Sequence, residues 1–383
     1  MRVLLIVPVF SSTLGGTVAV VRDIARELAR NHEVTVLTTT ARTNLKDMSN
    51  IPIEFNQDGY HVVAFPRRLK RSGFNISPSA LTKLKEIIQE HDVVHLHSWR
   101  QFFDITFFAI NKMTQKPYLI QTHGSIPRTR RHRIIKIIYD MTLGNRLMKK
   151  AQYVLALNKI EAKQCYGLGA ESDKIRIIPN GIDMNSYLRP KKTRSEIMQQ
   201  LGVDDKGPII LYVGRIHQDK GLSLLASAFQ IISSKIKDAT LLIIGPDDGY
   251  KRKFIELITN LGIKEKVKIT GFVQKEEKIS ALAGSDVFVT PNYEAFPITF
   301  LEACACKCPI ITTSNDLEWI DDNVGYVTNA DPNNYANAIK KVITNDEVRQ
   351  RMRNNCELMM KRFDISVIAS QLIDIYKSAV EHK

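Results

Sequence analysis

The stretch GRIHQDKG, residues 214 to 221, places two cations, Arg215 and Lys220, in one short glycine-flanked turn. Such a pair can clamp a diphosphate and neutralise the charge that grows on it as a bond to it breaks. Two solvated loop cations are the plainer alternative. Further along, NYEAFPITFLEACACKCP (292 to 309) sets Glu294 and Glu302 eight apart in an otherwise apolar run. A buried helix does not tolerate carboxylates on its apolar side. These two therefore face water or hold something polar. Pro297 suits the first turn of a helix starting near Ile298, and the free N–H groups from Ile298 to Leu301 would form an anion site. Glu302 then lies about one turn in, where it can accept two hydrogen bonds from a vicinal diol. One element would thus touch a sugar through Glu294, a diphosphate through backbone N–H groups and a ribose through Glu302. Near the start of the chain, SSTLGGT (11 to 17) puts Gly15 and Gly16 just before a helix, where backbone can approach a ligand or simply turn. DVVHLHSW brings His95, His97 and Trp99 to the end of an apolar run, with His97 nearest the carboxyl end. QTHG does the same for His123. Each histidine reads either as a ligand contact or as a structural residue.

All of these residues fall where apolar, β-rich runs end. VLLIVPVF (3 to 10), HEVTVLTTT (32 to 40), HVVAF (61 to 65), DVVHLH (92 to 97), PYLIQTH (117 to 123), YVLALN (153 to 158) and KIRIIPN (174 to 180) read as strands, most with helical periodicity between them. The first helix is expected at TVAVVRDIARELAR (17 to 30). Strands apolar on both faces and joined by helices argue for a parallel sheet covered on both sides. RPKKTRSEIMQQLGVDDKGP (189 to 208) reads as a polar linker region with a short helix. The alternation then restarts with strands at IILYVG (209 to 214), TLLIIG (240 to 245), KVKITG (266 to 271), DVFVTP (286 to 291) and PIITT (309 to 313). Helices are expected between them at 221 to 236, 251 to 262, 275 to 284 and from Ile298. The expectation is α/β, with two doubly wound, Rossmann-like lobes facing across a cleft. Ligands of such sheets sit beyond the carboxyl ends of the strands.

At 383 residues two domains are the natural division, and 44% hydrophobic with 25% charged residues can build sizeable cores. No apolar run approaches the roughly 20 residues of a membrane span, and MRVLLIV (1 to 7) reads as a strand rather than a secretion signal. The five cysteines, Cys165, Cys304, Cys306, Cys308 and Cys356, fit reduced thiols in a cytoplasm. Cys304, Cys306 and Cys308 lack the spacing of a zinc site and read as small buried helix residues. The net charge of +14 is uneven, since residues 1 to 150 hold 23 Lys/Arg against 11 Asp/Glu and residues 151 to 383 hold 31 against 29. Much of the excess sits in PRRLKR (66 to 71) and RTRRHRIIKIIYDMTLGNRLMKK (128 to 150). A face this basic attracts phosphates of nucleic acid, lipid head groups or anionic substrates.

Taken in order, GGT (15 to 17), HLH (95 to 97), PNGID (179 to 183), GRIHQDKG, GF (271 to 272) and EAFPITFLEACACKCP (294 to 309) resemble the family-four glycosyltransferases of the GT-B fold. The resemblance covers nearly the whole chain, and RFDISVIASQLIDIYKSAV (362 to 380) looks like the family's last helix, which returns to the first domain. It implies an acceptor domain over 1–188, a donor domain over 189–362 and a crossover helix over 363–383. It implies transfer of a sugar from a nucleoside-diphosphate donor with retention at the anomeric carbon, without metal or other cofactor. No Asp-x-Asp triplet occurs in the chain, which agrees with that. By resemblance Arg215 and Lys220 bind the diphosphate, Glu302 the ribose, and Glu294 the transferred sugar. Phe296, Pro297, Ile298 and Thr299 supply neighbouring backbone contacts. His97 stands near the reacting sugar, Gly15 and Gly16 near the donor phosphate, and Phe272 and Val273 near the nucleobase. Lys307 replaces a common glycine at a helix end that favours a left-handed residue. Ala295 stands where Gly or Ser is frequent, and SNDLEWIDDNVGYV (314 to 327) is shorter and poorer in glycine than the family's loop.

The basic excess lies in the half that the family uses for acceptors. In 128 to 150, Arg/Lys alternate with Ile134, Ile135, Ile137, Ile138, Tyr139, Met141, Leu143 and Leu147. This pattern fits a helix lying on an anionic membrane surface and meeting a lipid-linked glycan acceptor, with His123, Arg128, Arg130, Arg131, Arg133 and Lys136 on the acceptor or membrane side. A core-facing helix with a solvated basic face fits it too, as does a soluble sugar acceptor. The expected location is cytoplasmic, peripheral on the inner face of the cell membrane. An epimerase or phosphorylase would keep the architecture, but GRIHQDKG with the glutamate pair argues against both. A nucleic-acid binder would explain the basic pI, but no nucleic-acid motif supports one and no nucleic-acid partner is expected.

Overall fold

The computed structural model describes residues 1–10, 16–40, 53–66, 69–71, 74–97, 99–128, 133–293, 295–313 and 317–382, with the side chains of 69–71 and 74–76 left aside. Contacts gather into two compact units: Met1–Gly181 with Ile365–Lys383, and Ile182–Asp364.

The first unit runs β1 (Arg2–Ile6), α1 (Gly16–Leu28), β2 (Glu33–Thr39), β3 (Ile53–Gln57), β4 (Tyr60–Phe65), β5 (Leu69–Arg71), β6 (Phe74–Ile76), α2 (Ala80–Glu90), β7 (Val93–Leu96) and α3 (Phe102–Thr114). It continues with β8 (Tyr118–Gln121), α4 (Arg133–Tyr139), a π-turn at Asp140–Gly144, α5 (Asn145–Lys150), β9 (Tyr153–Ala156), α6 (Lys159–Gly167) and β10 (Ile175–Ile177). Eight strands form one sheet in the order β10-β9-β8-β7-β1-β2-β4-β3. The strand β1 lies at its centre, paired in parallel with β2 and β7, and Val3 to Ile6 are fully buried. It stops at Ile6, short of the 3 to 10 expected, and Pro8, which has no N–H for a ladder, follows. In α1, Val20, Val21, Ile24, Ala25 and Leu28 make the buried stripe.

Within the main sheet one strand departs from the parallel expectation. The edge strand β3 pairs antiparallel with β4 across Asp58-Gly59, both with positive φ (48° and 88°), a tight hairpin of the Asp-Gly kind. Its residues are mostly exposed, so it lacks the apolar signature of the others. A short antiparallel pair, β5 and β6, forms a separate ribbon. The basic segment 128–150 is not one helix, because the π-turn splits α4 from α5.

The second unit runs α7 (Arg194–Gln200), β11 (Ile209–Val213), α8 (Leu222–Lys235), β12 (Thr240–Ile244), α9 (Lys251–Asn260), β13 (Val267–Gly271), α10 (Lys275–Gly284) and β14 (Val287–Thr290). After these come α11 (Ile298–Ala305), β15 (Ile310–Thr312), β16 (Gly325–Val327), α12 (Pro332–Ile343) and α13 (Asp346–Met360). Its six strands are all parallel, in the order β13-β12-β11-β14-β15-β16. The segment read as a linker is packed. In α7 Ile197 and Met198 are fully buried, and Arg194 bonds Asp286 Oδ2 at 2.9 Å, Gly284 O at 2.7 Å and Gly207 O at 2.8 Å. A last helix, α14 (Ile365–Glu381), belongs to the first unit and packs on α1. Among the described residues no helix is long and apolar enough to cross a membrane. All five cysteines are buried free thiols, and no described group of three or more His, Cys, Asp or Glu side chains could hold a metal ion.

Candidate active site

In the second unit β11 ends at Val213 and the chain turns at Gly214. The turn is crowded: a Cβ on Gly245 (φ 149°) would fall 1.9 Å from Gly214 O. Arg215 follows, half exposed and ion-paired with Asp248. Its carbonyl accepts from Tyr212 Oη at 3.0 Å. His217 Nδ1 then accepts from Asp219 N at 3.2 Å and caps the single 3₁₀ turn Gln218–Lys220. Gly221 closes the loop with φ 70°, and a Cβ there would meet Pro291 Cβ at 2.8 Å. Asn292 Nδ2 donates to Asp219 O at 2.8 Å. The stretches around Arg215 and around Pro297, more than seventy residues apart in sequence, are therefore tied side by side.

Pro297 is the N-cap of α11 rather than its first helical residue, and its side chain offers no cap. Phe300 N turns back to Pro297 O at 3.2 Å. Ala295 takes φ 56° and Lys307 φ 57°. Both positions flagged as unusual for lacking glycine are thus left-handed in an L-residue, which costs about 1 kcal/mol each. The Phe296 side chain is buried against Trp319 and Phe363, with ring centroids 6.3 and 5.9 Å away. That anchors the turn. Pro297, Ile298 and Thr299 are half-buried. Phe272 is exposed and Val273 half-buried just after Gly271, whose φ is 79°. Glu294 lies outside the described residues.

Glu302 is only 5% exposed. Its Oε1 accepts from Lys278 Nζ at 2.6 Å and from Tyr187 Oη at 3.0 Å. Its Oε2 is buried and has no hydrogen-bond partner. Beside it, Ser186, Arg189, Lys191, Lys275, Glu276 and Ile279 line a groove of about 220 Å³, with Lys275 Nζ 5.1 Å from the Tyr187 ring centroid. Neither Lys278 nor Tyr187 was expected from the sequence. A lysine on a helix and a tyrosine in a loop carry no local signal of the carboxylate they meet.

In the first unit the strand-end histidines form a cluster. The His95 and His97 rings lie 3.8 Å apart, closer than the roughly 6.6 Å between alternate residues of a strand, and His97 Nδ1 is 2.9 Å from His123 Nε2. His95 Nδ1 meets Tyr376 Oη of α14 at 2.7 Å. Burial holds all three imidazoles below their ordinary value of 6.5, His95 and His97 well below it and His123 at about 4, so they are neutral at pH 7. His123 has φ 48° and Gly124 φ 75°. Glu161 of α6, 3% exposed, clamps this turn: Oε1 accepts from Thr122 Oγ1 at 2.5 Å and Gly124 N at 2.6 Å, and Oε2 accepts from Leu157 N at 2.7 Å. Glu161 also escaped the sequence reading. Its only trace was the Asn158-x-x-Glu161 spacing of a helix start, and Asn158 does cap α6. Gly16 opens α1, while Gly15 lies outside the described residues.

The basic segment divides in two. Asp140, 2% exposed, accepts from Arg100 Nε at 2.8 Å and Nη2 at 2.7 Å and from Arg128 Nε at 2.9 Å. Arg128, expected on the acceptor or membrane side, is thus a counterion of a buried carboxylate. Arg130 and Arg131 lie outside the described residues. Arg133 is exposed and Lys136 half-buried. On α4 and the π-turn, Ile134, Ile135, Ile138 and Met141 are 73, 60, 57 and 74% exposed, which presents an apolar strip beside the cations.

Two parallel, doubly wound α/β units with polar groups at the carboxyl ends of the strands define a GT-B fold, and this is the fold of glycosyltransferases that the chain superimposes on. A crystal structure of Anabaena Alr3699/HepE in complex with UDP and glucose matches with a TM-score of 0.79 and 20% identity, over 99% of this chain and 100% of that one. A glycosyltransferase from Rickettsia africae matches with a TM-score of 0.79 and 19% identity, over 100 and 99% of the two chains. Residues 14–186 match Glycosyltransferase Family 4 and residues 193–359 match Glycosyl transferases group 1. The chain belongs to the family-four, group 1 glycosyltransferases. Its relatives include an uncharacterized glycosyltransferase of Methanocaldococcus jannaschii, 26% identical over 96% of this chain and 95% of the relative. They also include the phosphatidyl-myo-inositol mannosyltransferase of Mycobacterium tuberculosis, 24% identical over 99 and 97%.

Proposed function

We propose that this glycosyltransferase moves a sugar from a nucleoside-diphosphate donor to a hydroxyl of a lipid-linked or phospholipid acceptor, with retention and without a metal. The observation that carries the donor half is the tie between the Arg215 turn and the start of α11, with Glu302 Oε2 left open nearby in sequence. Arg215, Lys220 and the first N–H groups of α11 would stabilise the charge that grows on the leaving phosphate. Glu302 would take the ribose, Glu294 and the backbone of Phe296 to Thr299 the transferred sugar, and Phe272 and Val273 the base. Gly15 and Gly16 would give the donor phosphate a close backbone approach.

The bond from the anomeric carbon to the diphosphate oxygen breaks through an oxocarbenium-like state. The acceptor oxygen attacks from the same face, and its proton passes to the departing phosphate. Neutral histidines suit this chemistry. His97, supported by His123, can hydrogen-bond sugar hydroxyls without adding positive charge beside a cationic transition state.

The acceptor half rests on the exposed strip of Ile134, Ile135, Ile138 and Met141 beside Arg133 and Lys136. An apolar helix face rimmed by cations favours an anionic lipid surface. The relatives named for phosphatidyl-myo-inositol support the same reading. The enzyme would work peripherally at the cytoplasmic face of the membrane, in keeping with five free buried thiols.

The test is a panel of UDP-, GDP- and ADP-sugars, each with anionic lipid vesicles or total membrane lipid, followed by release of nucleoside diphosphate beside a Glu294→Ala control. Release that needs one donor and the lipid, and that disappears in the control, is expected. Release with a soluble sugar and no lipid would move the acceptor off the membrane. No release and no thermal stabilisation by any nucleoside diphosphate would sink the donor site.

A further inference from the structure

Three elements of the second unit converge on one carboxylate. Glu302 comes from α11, Lys278 from α10 and Tyr187 from the segment before α7. A carboxylate oxygen has two lone pairs. Lys278 Nζ and Tyr187 Oη fill both on Oε1, at 2.6 and 3.0 Å. Oε2 has both free, although it is buried. A buried carboxylate oxygen without a partner is a defect that folded proteins rarely keep unless a ligand completes it. The side chains of Lys278 and Glu302 are 24 and 7% exposed, so little water screens the pair.

We infer that Lys278 is a positioning residue for nucleotide binding: with Tyr187 it locks the Glu302 carboxylate so that Oε2 alone is offered to the ribose diol. The inference rests on, and deepens, the donor-site reading above. The lysine acts in two ways. It fixes the plane of the carboxylate, so both hydroxyls must converge on one oxygen rather than bridge two. It also cancels a charge that would otherwise repel a diphosphate bound to the same unit. Glu302 can then be an acceptor for hydroxyls without acting as a bare anion toward phosphate.

The experiment is calorimetric titration of the full chain with UDP, GDP and ADP and with their 2′,3′-dideoxy counterparts, for wild type, Lys278→Met, Lys278→Arg and Tyr187→Phe. Wild type should bind one ribonucleotide about tenfold more tightly than its dideoxy form, the effect of hydrogen bonds to a charged group. Lys278→Met should weaken the ribonucleotide roughly tenfold more than the dideoxy form and so bring the ratio near one. Lys278→Arg should keep the ratio. Tyr187→Phe removes only a hydroxyl and should lower the ratio about threefold, and it decides the matter if the methionine variant does not fold. A ratio unchanged in Lys278→Met and Tyr187→Phe, or equal weakening of both forms, would mean a purely structural ion pair and overturn the inference alone. A wild type that binds no nucleoside diphosphate would overturn the donor site with it. A wild type that binds without preferring the ribose form would overturn the role of Glu302 and of Lys278 together.

Discussion

Replacing Glu161 tests whether the histidine cluster is held for function or only packed. In Glu161→Ala two backbone donors, Gly124 N and Leu157 N, lose the acceptor they have in a site where the glutamate is 3% exposed. Each orphaned buried donor costs about 1–3 kcal/mol, so roughly 4 kcal/mol is expected for the pair. The Thr122 hydroxyl can rotate toward another acceptor and adds little. Glu161→Gln keeps an oxygen for Thr122 and Gly124 but sets its NH₂ against Leu157 N–H, so about 2 kcal/mol is expected. The chain has two tryptophans, Trp99 in the first unit and Trp319 in the second. Urea unfolding followed by Trp99 fluorescence in a Trp319→Phe background therefore reports the right unit, where one transition for the whole chain would not be two-state. The functional reading comes from the glutamine variant, which stays folded. The turn that holds His123 at φ 48° loosens, and kcat should fall about 10- to 100-fold, as a displacement near 1 Å does. The donor KM should move less than kcat, since most of the proposed donor residues, Gly15 and Gly16 aside, lie in the other unit. A loss below 1 kcal/mol in Glu161→Ala, or an unchanged kcat in Glu161→Gln, would refute the reasoning.

Asp140→Ala should destabilise the first unit by about 3–5 kcal/mol, because it leaves the buried Arg100 guanidinium with only the carbonyls of Ser125 and Ile126. Trp99 again reports it, since the Tyr139 ring centroid lies 5.6 Å away, and a loss under 1 kcal/mol would mean the pair is not the anchor of the π-turn. The first unit should also weaken on acidification. Its three clustered histidines have folded values below 6.5, His123 at about 4, so the unfolded chain binds more protons in the window from pH 6.5 down to about 4. Stability then falls as pH drops through that window, by about 1.4 kcal/mol per pH unit for each histidine. Urea midpoints at pH 7 and pH 5 measure it, His123→Gln should remove part of the slope, and equal midpoints would refute the buried, neutral assignment.

The strands were legible because they are apolar on both faces, a pattern only a covered parallel sheet requires. The exposed edge strand Ile53–Gln57 was missed for the same reason, although Asp58-Gly59 marked its hairpin. Ala295 and Lys307 stood out only through the resemblance, because glycine is common at those positions in the family and glycine marks left-handed backbone. What could not be read is who pairs with whom. His95 meets Tyr376, 281 residues away, and Glu302 meets Tyr187, 115 away. Nothing in the type or spacing of either partner announces such contacts. The same blindness affects the charge count. Arg128 was one of the cations that made 128–150 look like a phosphate-seeking surface, yet it and Arg100 are spent on a carboxylate that is 1% exposed at its side chain. The ion pair gives Arg128 a structural partner while its side chain stays 40% exposed, and Asp140 sits where the helix breaks into a π-turn. Among the described residues, the cations left for the proposed lipid surface are Arg133, the half-buried Lys136 and the exposed Arg146, Lys149 and Lys150, with four exposed apolar side chains in the same segment. Binding to anionic vesicles should therefore respond more to Ile134→Glu and Ile138→Glu, which remove apolar contact and add repulsion, than to Arg128→Ala, which acts through the fold. An Arg128→Ala effect on vesicle binding that equals the isoleucine variants, with stability unchanged, would return that arginine to the surface where its charge alone had put it.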